Sequence, residues 1–329
     1  MPNPVAEQVV VVTGASSGIG RATASLFAQR GARVVAAARN TAALDTLIEE
    51  ITGSGGQALA VTTDVAVADD VYALAEAAEA RFGRIDTWVN NAAVAVWGRV
   101  EDISDAEFER VMRVNFLGQV YGVHAALPAL RRAGGGVVIG VASMEGVRSV
   151  PLHAPYTASK WALRGFYDAL RMELAESQDP IAVATVLPAA IDTPIFEHAR
   201  SKVGAMPKPP PPTYAAEVVA QAIVRAAERP SREVPVGGPV AAAMLAQRLS
   251  PALADTLFSL TRTAVTTQQA ARRDNATDNV DGPVEERGQV HGTYPGPVLT
   301  RSLFTDLLGH RRRPGELVGS LVQTIRRRG

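Results

Sequence analysis

The chain has 329 residues, 47% of them hydrophobic and 5% aromatic, enough to bury one large α/β core or two smaller ones. Its 33 basic and 33 acidic residues balance, so no general attraction to nucleic acid or to an anionic surface is expected. The absence of cysteine removes disulfides, thiolate catalysis and zinc–thiolate centres at once. No uncharged apolar run reaches the roughly 18 residues of a membrane span, and Val9–Val12 is too short for a signal peptide. A soluble cytoplasmic protein is the expectation.

Strand-like and helical segments alternate from the N-terminus. Candidate strands are Gln8–Thr13, Arg33–Ala38, Gln57–Thr62, Ile85–Asn90, Val137–Val141, Ile181–Leu187 and Glu233–Val236. Candidate helices are Arg21–Arg30, Thr41–Thr52, Ala66–Phe82, Asp105–Arg131, Tyr156–Glu176 and Tyr214–Glu228. Such alternation predicts a parallel sheet covered on both faces, and right-handed crossovers make a doubly wound α/β fold of about seven strands the expected topology. Ligands of such sheets sit outside the carboxyl ends of the strands. Gly14, Asn90 and Ser143 all fall at such ends.

The first strand runs directly into Gly14-Ala15-Ser16-Ser17-Gly18-Ile19-Gly20. Strand, glycine-rich turn and helix form the context in which a diphosphate can approach backbone N–H groups at a helix N-terminus. The spacing is Gly-x-x-x-Gly-x-Gly, with the nucleotide-free alternative an ordinary glycine turn. Strand two ends in Ala38-Arg39-Asn40, with no carboxylate to take a ribose 2′-hydroxyl. Arg39 can instead make charge-assisted bonds to a 2′-phosphate, so NADP(H) is expected over NAD(H). Ser17 brings no additional basic residue to that position. Further along, Tyr156 and Lys160 are four apart on a predicted helix, which places phenol and ammonium on one face. The ammonium should favour the phenolate and fit Tyr156 for proton exchange with a hydroxyl or carbonyl.

Thr13-Gly14-x-x-x-Gly18-Ile19-Gly20, Asn90-Asn91-Ala92-Ala93, Asn115, Ser143 and Tyr156-x-x-x-Lys160 stand in the order found in short-chain dehydrogenases/reductases. The chain resembles the shorter, single-domain branch of that family over about residues 5–236. It departs at Ala93 and Ala189, where that family usually has glycine; both replacements are small.

The resemblance implies a Rossmann-type domain and hydride transfer between a nicotinamide cofactor and a carbonyl or secondary alcohol. It implies catalytic roles for Ser143, Tyr156, Lys160 and Asn115. Ser143 would bond the substrate oxygen, and Asn115 would anchor a water in a proton relay with Lys160. Lys160 would also bind the nicotinamide ribose. The cofactor would be held by Gly14, Ser16, Ser17, Gly18, Ile19, Gly20, Arg39, Asn40, Asp64, Val65, Asn91, Ala92, Tyr156, Lys160, Pro188, Ile191 and Thr193. Within that set Asp64 would meet the adenine, or serve simply as a turn aspartate, and Thr193 would reach the carboxamide. Dimers or tetramers are usual in the family. A non-catalytic dinucleotide sensor or scaffold is the alternative, and no catalytic group is missing to favour it.

His153, His198 and His291 lack ligand spacing, so no metal site is expected. Glu145 could face the pocket or be a solvated loop carboxylate. Thr193–Thr213, with Pro207 and Pro209–Pro212, predicts a long irregular loop over the substrate. Residues 237–329 form an extension beyond the core. There Leu245, Leu249, Leu253, Leu257 and Leu260 recur at helical spacing, interrupted by Pro251. This stripe is expected to cap the substrate loop or contact another subunit, and with the loop it leans towards an apolar substrate. A polar, turn-rich stretch over 268–297 follows, then a short apolar piece at Leu303–Leu308. Arg311–Arg313 and Arg326–Arg328 are expected to lie in a basic, solvated and partly disordered tail. No DNA-reading motif accompanies these arginines. An interfacial helix with a basic tail is the alternative reading of the extension.

Overall fold

The computed structural model of the chain describes residues 2–252, 256, 270–271, 277–285 and 287–305. Seven parallel strands form one sheet: β1 (Val9–Thr13), β2 (Arg33–Ala38), β3 (Gln57–Thr62), β4 (Thr87–Asn90), β5 (Gly136–Val141), β6 (Ile181–Pro188) and β7 (Glu233–Val236). Their order is β7-β6-β5-β4-β1-β2-β3. The order reverses between β1 and β4, and this switch point opens a crevice at the carboxyl ends of the strands. Apolar side chains on both faces explain the uninterrupted Val9–Val12 run, in which each residue is fully buried. One core lies under the helices Ala68–Phe82, Gly118–Arg132 and Ala154–Glu176, the other under Gly18–Gln29, Thr41–Gly53 and Ala216–Glu228.

Three predicted elements differ in form. The helix Gly18–Gln29 begins inside the glycine turn, three residues before apolar periodicity becomes visible. The continuous helix expected over Asp105–Arg131 is Asp105–Met112 and Gly118–Arg132, joined by a π-helical turn at Arg113–Leu117. Asn115 lies in that turn and exchanges hydrogen bonds with both main-chain groups of Val94, at 2.8 and 3.0 Å. A widened turn of this kind directs one polar side chain inward without ending the helix. The 193–213 segment is not wholly irregular. It holds a helical turn at Ile195–His198 and short pairings of Arg200–Ser201 with Val96–Trp97 and of Ala205–Met206 with Ala270–Ala271. Its longest stretch without regular structure is the proline-rich 207–212, where proline has no N–H to give a ladder.

Beyond β7, the helix Gly238–Leu249 carries Leu245 and Leu249 exposed; the rest of the leucine stripe and both arginine clusters lie outside the described residues. Residues 277–305 return across the carboxyl edge of the sheet. Val298–Leu299 pairs in parallel with Thr213–Tyr214, and Val280 is fully buried. No helix among the described residues is long and apolar enough to cross a membrane.

Candidate active site

A cavity of about 1630 Å³ follows the crevice, lined at one end by Arg39 and Asp64 and at the other by Ser143, Tyr156 and Lys160. Its floor is the glycine turn. Gly14 has φ +67°, and a Cβ there would lie 2.7 Å from Ala92 Cα. A Cβ on Gly20 would lie 2.1 Å from the Gly14 carbonyl oxygen. Backbone alone can line this turn, as close approach to a diphosphate requires. Thr13 Oγ1 accepts the Asn91 N–H at 3.0 Å, while Asn91 Nδ2 donates to the Thr13 carbonyl. These bonds lock the ends of β1 and β4 together. Ser16, Ser17, Gly18, Ile19, Asn40, Val65, Asn91, Ala92, Pro188, Ile191 and Thr193 all line the same cavity.

At the far end of the cavity, Ser143 follows β5, and its Oγ accepts the Glu145 N–H at 3.1 Å. The helix Ala154–Glu176 carries Tyr156 and Lys160, with the ammonium 5.2 Å from the phenol ring centroid. Lys160 Nζ donates to the Val141 carbonyl at 3.0 Å. Burial pushes the Tyr156 phenol well above its usual range, and the Glu145 carboxylate adds to this; a hydrogen bond with Ser143 works the other way. Burial also draws Lys160 down to about 7, against an upward pull from Glu145. The spacing argument expects the ammonium to lower the phenol; the shift runs upward instead, with burial its largest cause.

Asn115 is buried close by, its Nδ2 also 3.2 Å from Ser159 Oγ. Asn115 bonds Val94 and Ser159 while Lys160 Nζ gives one of its three N–H groups to Val141, and no direct bond joins the two. Asp64 accepts from the Ala66 N–H at 3.0 Å and forms an ion pair with Arg110 at 2.9 Å. Among the described residues no group of His, Asp and Glu could hold a metal ion.

Sequence reasoning left two parts of the site unassigned. Glu145 accepts from Thr157 Oγ1 at 2.7 Å and meets His153 Nδ1 at 3.0 Å, and His153 stacks between Trp97 and Tyr156 at centroid distances of 4.0 and 4.4 Å. The placement of His153 just before the tyrosine helix is the only local sign of this stack. The second part is the cavity wall formed by Asn279, Pro283, Val284, Gly288 and Gln289, for which no local signal exists.

A doubly wound sheet with a glycine cradle at its switch point and a Tyr–Lys pair at the groove's end defines a dinucleotide-binding oxidoreductase. The chain belongs to the short-chain dehydrogenase family, whose model matches residues 8–204. It is 39% identical over 304 residues to the "Uncharacterized oxidoreductase YxnA" of Bacillus subtilis, covering 91% of this chain and 84% of the relative. With Dehydrogenase/reductase SDR family member 7B of Bos taurus it shares 34% identity over 260 residues, 76% of this chain and 79% of that protein. Among solved structures, a short-chain dehydrogenase/reductase from Burkholderia phymatum in complex with NAD superposes with a TM-score of 0.67. The identity is 27%, over 78% of this chain and 96% of that one. An alcohol dehydrogenase from Thermococcus sibiricus complexed with 5-hydroxy-NADP gives a TM-score of 0.62 at 26% identity, over 70% and 95% of the two chains. The protein is thus an NAD(P)-dependent oxidoreductase of this family.

Proposed function

We propose that the protein is an NADP(H)-dependent enzyme that interconverts a carbonyl and a secondary alcohol, with Tyr156 as the proton carrier. The observation carrying this reading is the convergence of Ser143, Tyr156 and Lys160 at one end of a backbone-lined dinucleotide groove. When bound, the nicotinamide ring supplies or takes up the hydride. Ser143 bonds the substrate oxygen and steadies the charge that develops there. Tyr156 gives its proton to the carbonyl oxygen in reduction and takes one from the hydroxyl in oxidation. Lys160 sits against the phenol ring and holds the proton supply. Asn115 supports the same helix face through Ser159.

The glycine turn and Asn91 would hold the diphosphate, and Arg39 the adenosine ribose phosphate. Arg39 Nη1 is buried without a partner among the described residues, which supports a phosphate oxygen at that position. Trp97, Leu152 and Phe196 line the substrate end and suit an apolar carbonyl compound. A side-by-side fluorescence titration with NADPH and NADH tests the cofactor assignment. Much tighter NADPH binding is expected, and a preference for NADH would reverse it. Turnover by Tyr156→Phe of any carbonyl found in a substrate screen tests the proton carrier; unchanged turnover would end that assignment.

A further inference from the structure

The C-terminal segment crosses the open side of the dinucleotide groove and touches it at both ends. Beside the glycine turn, Gly18 N–H donates to the Gln289 carbonyl at 2.9 Å. Its neighbour Gly288 has φ +32°, and a Cβ there would lie 2.5 Å from both the Ser16 carbonyl oxygen and Arg21 Nη1. Near the end of β2, Arg39 Nη2 donates to the Asn279 carbonyl at 2.5 Å and Asn40 Nδ2 to the Val284 carbonyl at 2.7 Å. Arg110, paired with Asp64, donates to the Val280 carbonyl at 2.9 Å.

The segment is also pinned outside the groove. Asp278 takes two bonds from Arg200, at 2.8 and 3.1 Å, and Asp281 a third at 2.7 Å. Tyr294 Oη donates to the Thr193 carbonyl and accepts the Glu197 N–H. His291 lies between Asp192 and Glu217, at 3.2 and 3.1 Å.

We propose that residues 278–285 and 287–294 form a strap that seals the cofactor in its groove and contributes Asn279 to the adenosine end. The strap roofs the cavity without filling it. About 1630 Å³ remains beneath, more than the roughly 300–1,000 Å³ of ordinary small-ligand pockets. Two buried polar atoms at the adenosine end lack partners among the described residues: Arg39 Nη1, a donor, and Asn279 Oδ1, an acceptor. They belong to residues already joined by a hydrogen bond, and both residues line the cavity. A buried donor and acceptor left open together suit a ligand that accepts at one and donates at the other. A ribose carrying one phosphate and one free hydroxyl does both. This inference rests on the dinucleotide reading above.

A seal and a competing plug differ in sign. If the strap contacts bound cofactor, loosening it speeds release more than entry, and affinity falls. If the strap occupies the cofactor's place, loosening it raises affinity. The test uses the full chain with Gly288→Ala, which forces a Cβ against Ser16, and separately Asp278→Asn, which keeps size and removes the charge facing Arg200. NADPH association and displacement are followed by fluorescence in a stopped-flow instrument. The expected result is a release rate about tenfold faster in Gly288→Ala and a smaller rise in Asp278→Asn, each with weaker binding at equilibrium. Tighter binding in either folded variant would make the strap a plug and overturn the proposal. Unchanged rates in both folded variants would remove the strap from the site and overturn it equally. A wild-type protein that binds neither NADPH nor NADH would refute the cofactor reading itself, before any variant is compared. If Gly288→Ala does not fold, Asp278→Asn decides.

Discussion

The two ends of the groove are built differently. At the reacting end, Ser143, Tyr156 and Lys160 come from the turn after one strand and the helix that follows it, within 17 positions of one another in the chain. At the adenosine end, Arg39 is held by a carbonyl 240 positions away. A catalytic constellation on adjoining regular elements is fixed by the sheet itself. A binding surface completed by a returning segment can open, and its affinity depends on contacts far from the chemistry. The reacting end should therefore fail in rate and the adenosine end in binding.

The largest effect expected is at Tyr156. Tyr156→Phe keeps the half-buried ring and its stack on His153 but removes the exchangeable proton. Turnover should fall by about 10²–10⁴-fold, the span attributed to positioned acid–base groups, while NADPH binding by fluorescence changes little. A comparable loss of binding would mean that the two ends are not separable as described.

Arg39→Ala probes the other end. Hydrogen bonds to charged groups are worth about 1.5–3 kcal/mol, so NADPH should bind roughly 10- to 150-fold more weakly. NADH should be affected far less, and the ratio of the two dissociation constants is the quantity to measure. Equal losses for both cofactors would assign Arg39 to anchoring the strap through Asn279 rather than to a phosphate.

How much could be read from the chain follows the same division. Gly14, Gly18 and Gly20 sit in one turn after a four-valine run, and Tyr156 and Lys160 one helical turn apart, so local spacing was enough to bring them together. All seven strands were visible because buried parallel strands read as apolar runs, with ends correct to two residues. The π-turn at Asn115 was not visible, since it depends on a pairing with Val94 across a loop. The direction of the Tyr156 shift was also misread. Spacing reports the neighbouring ammonium but not the enclosure, which has the larger effect here. The polar, turn-rich stretch over 268–297 carried no sign of a place beside the groove; in its described part, main-chain carbonyls accept from Arg39, Asn40, Arg110 and Gly18. Composition says nothing about such bonds.

A smaller effect sharpens the reacting end. Glu145 raises the Tyr156 phenol and supports the charged form of Lys160. In Glu145→Gln the phenol should ionise at lower pH, and Lys160 should lose its proton at lower pH as well. Both groups act protonated in carbonyl reduction, so the alkaline limb of the kcat/KM profile should move to lower pH. A profile that stays in place would show that Glu145 only braces His153 and Thr157, with no electrostatic hold on the phenol.

The smallest expected effect concerns the 193–213 segment, which belongs to neither end. Glu107 closes a capping box with Ser104 and takes Lys202 Nζ at 2.7 Å, tying that segment to the helix Asp105–Met112. Burial would raise its carboxyl, but hydrogen bonds from Lys202 and Ser104 outweigh this and draw it down to about 2, from an ordinary 4.5. Between those values the unfolded chain binds the proton and the folded chain does not. The stabilisation is therefore complete above about 4.5 and is lost as pH falls towards 2. Glu107→Gln should lower the melting temperature at neutral pH by a few degrees, and the deficit should shrink through that acid window. A deficit that stayed constant with pH would show that the carboxylate's charge does not hold the segment, and that shape and neutral hydrogen bonding do.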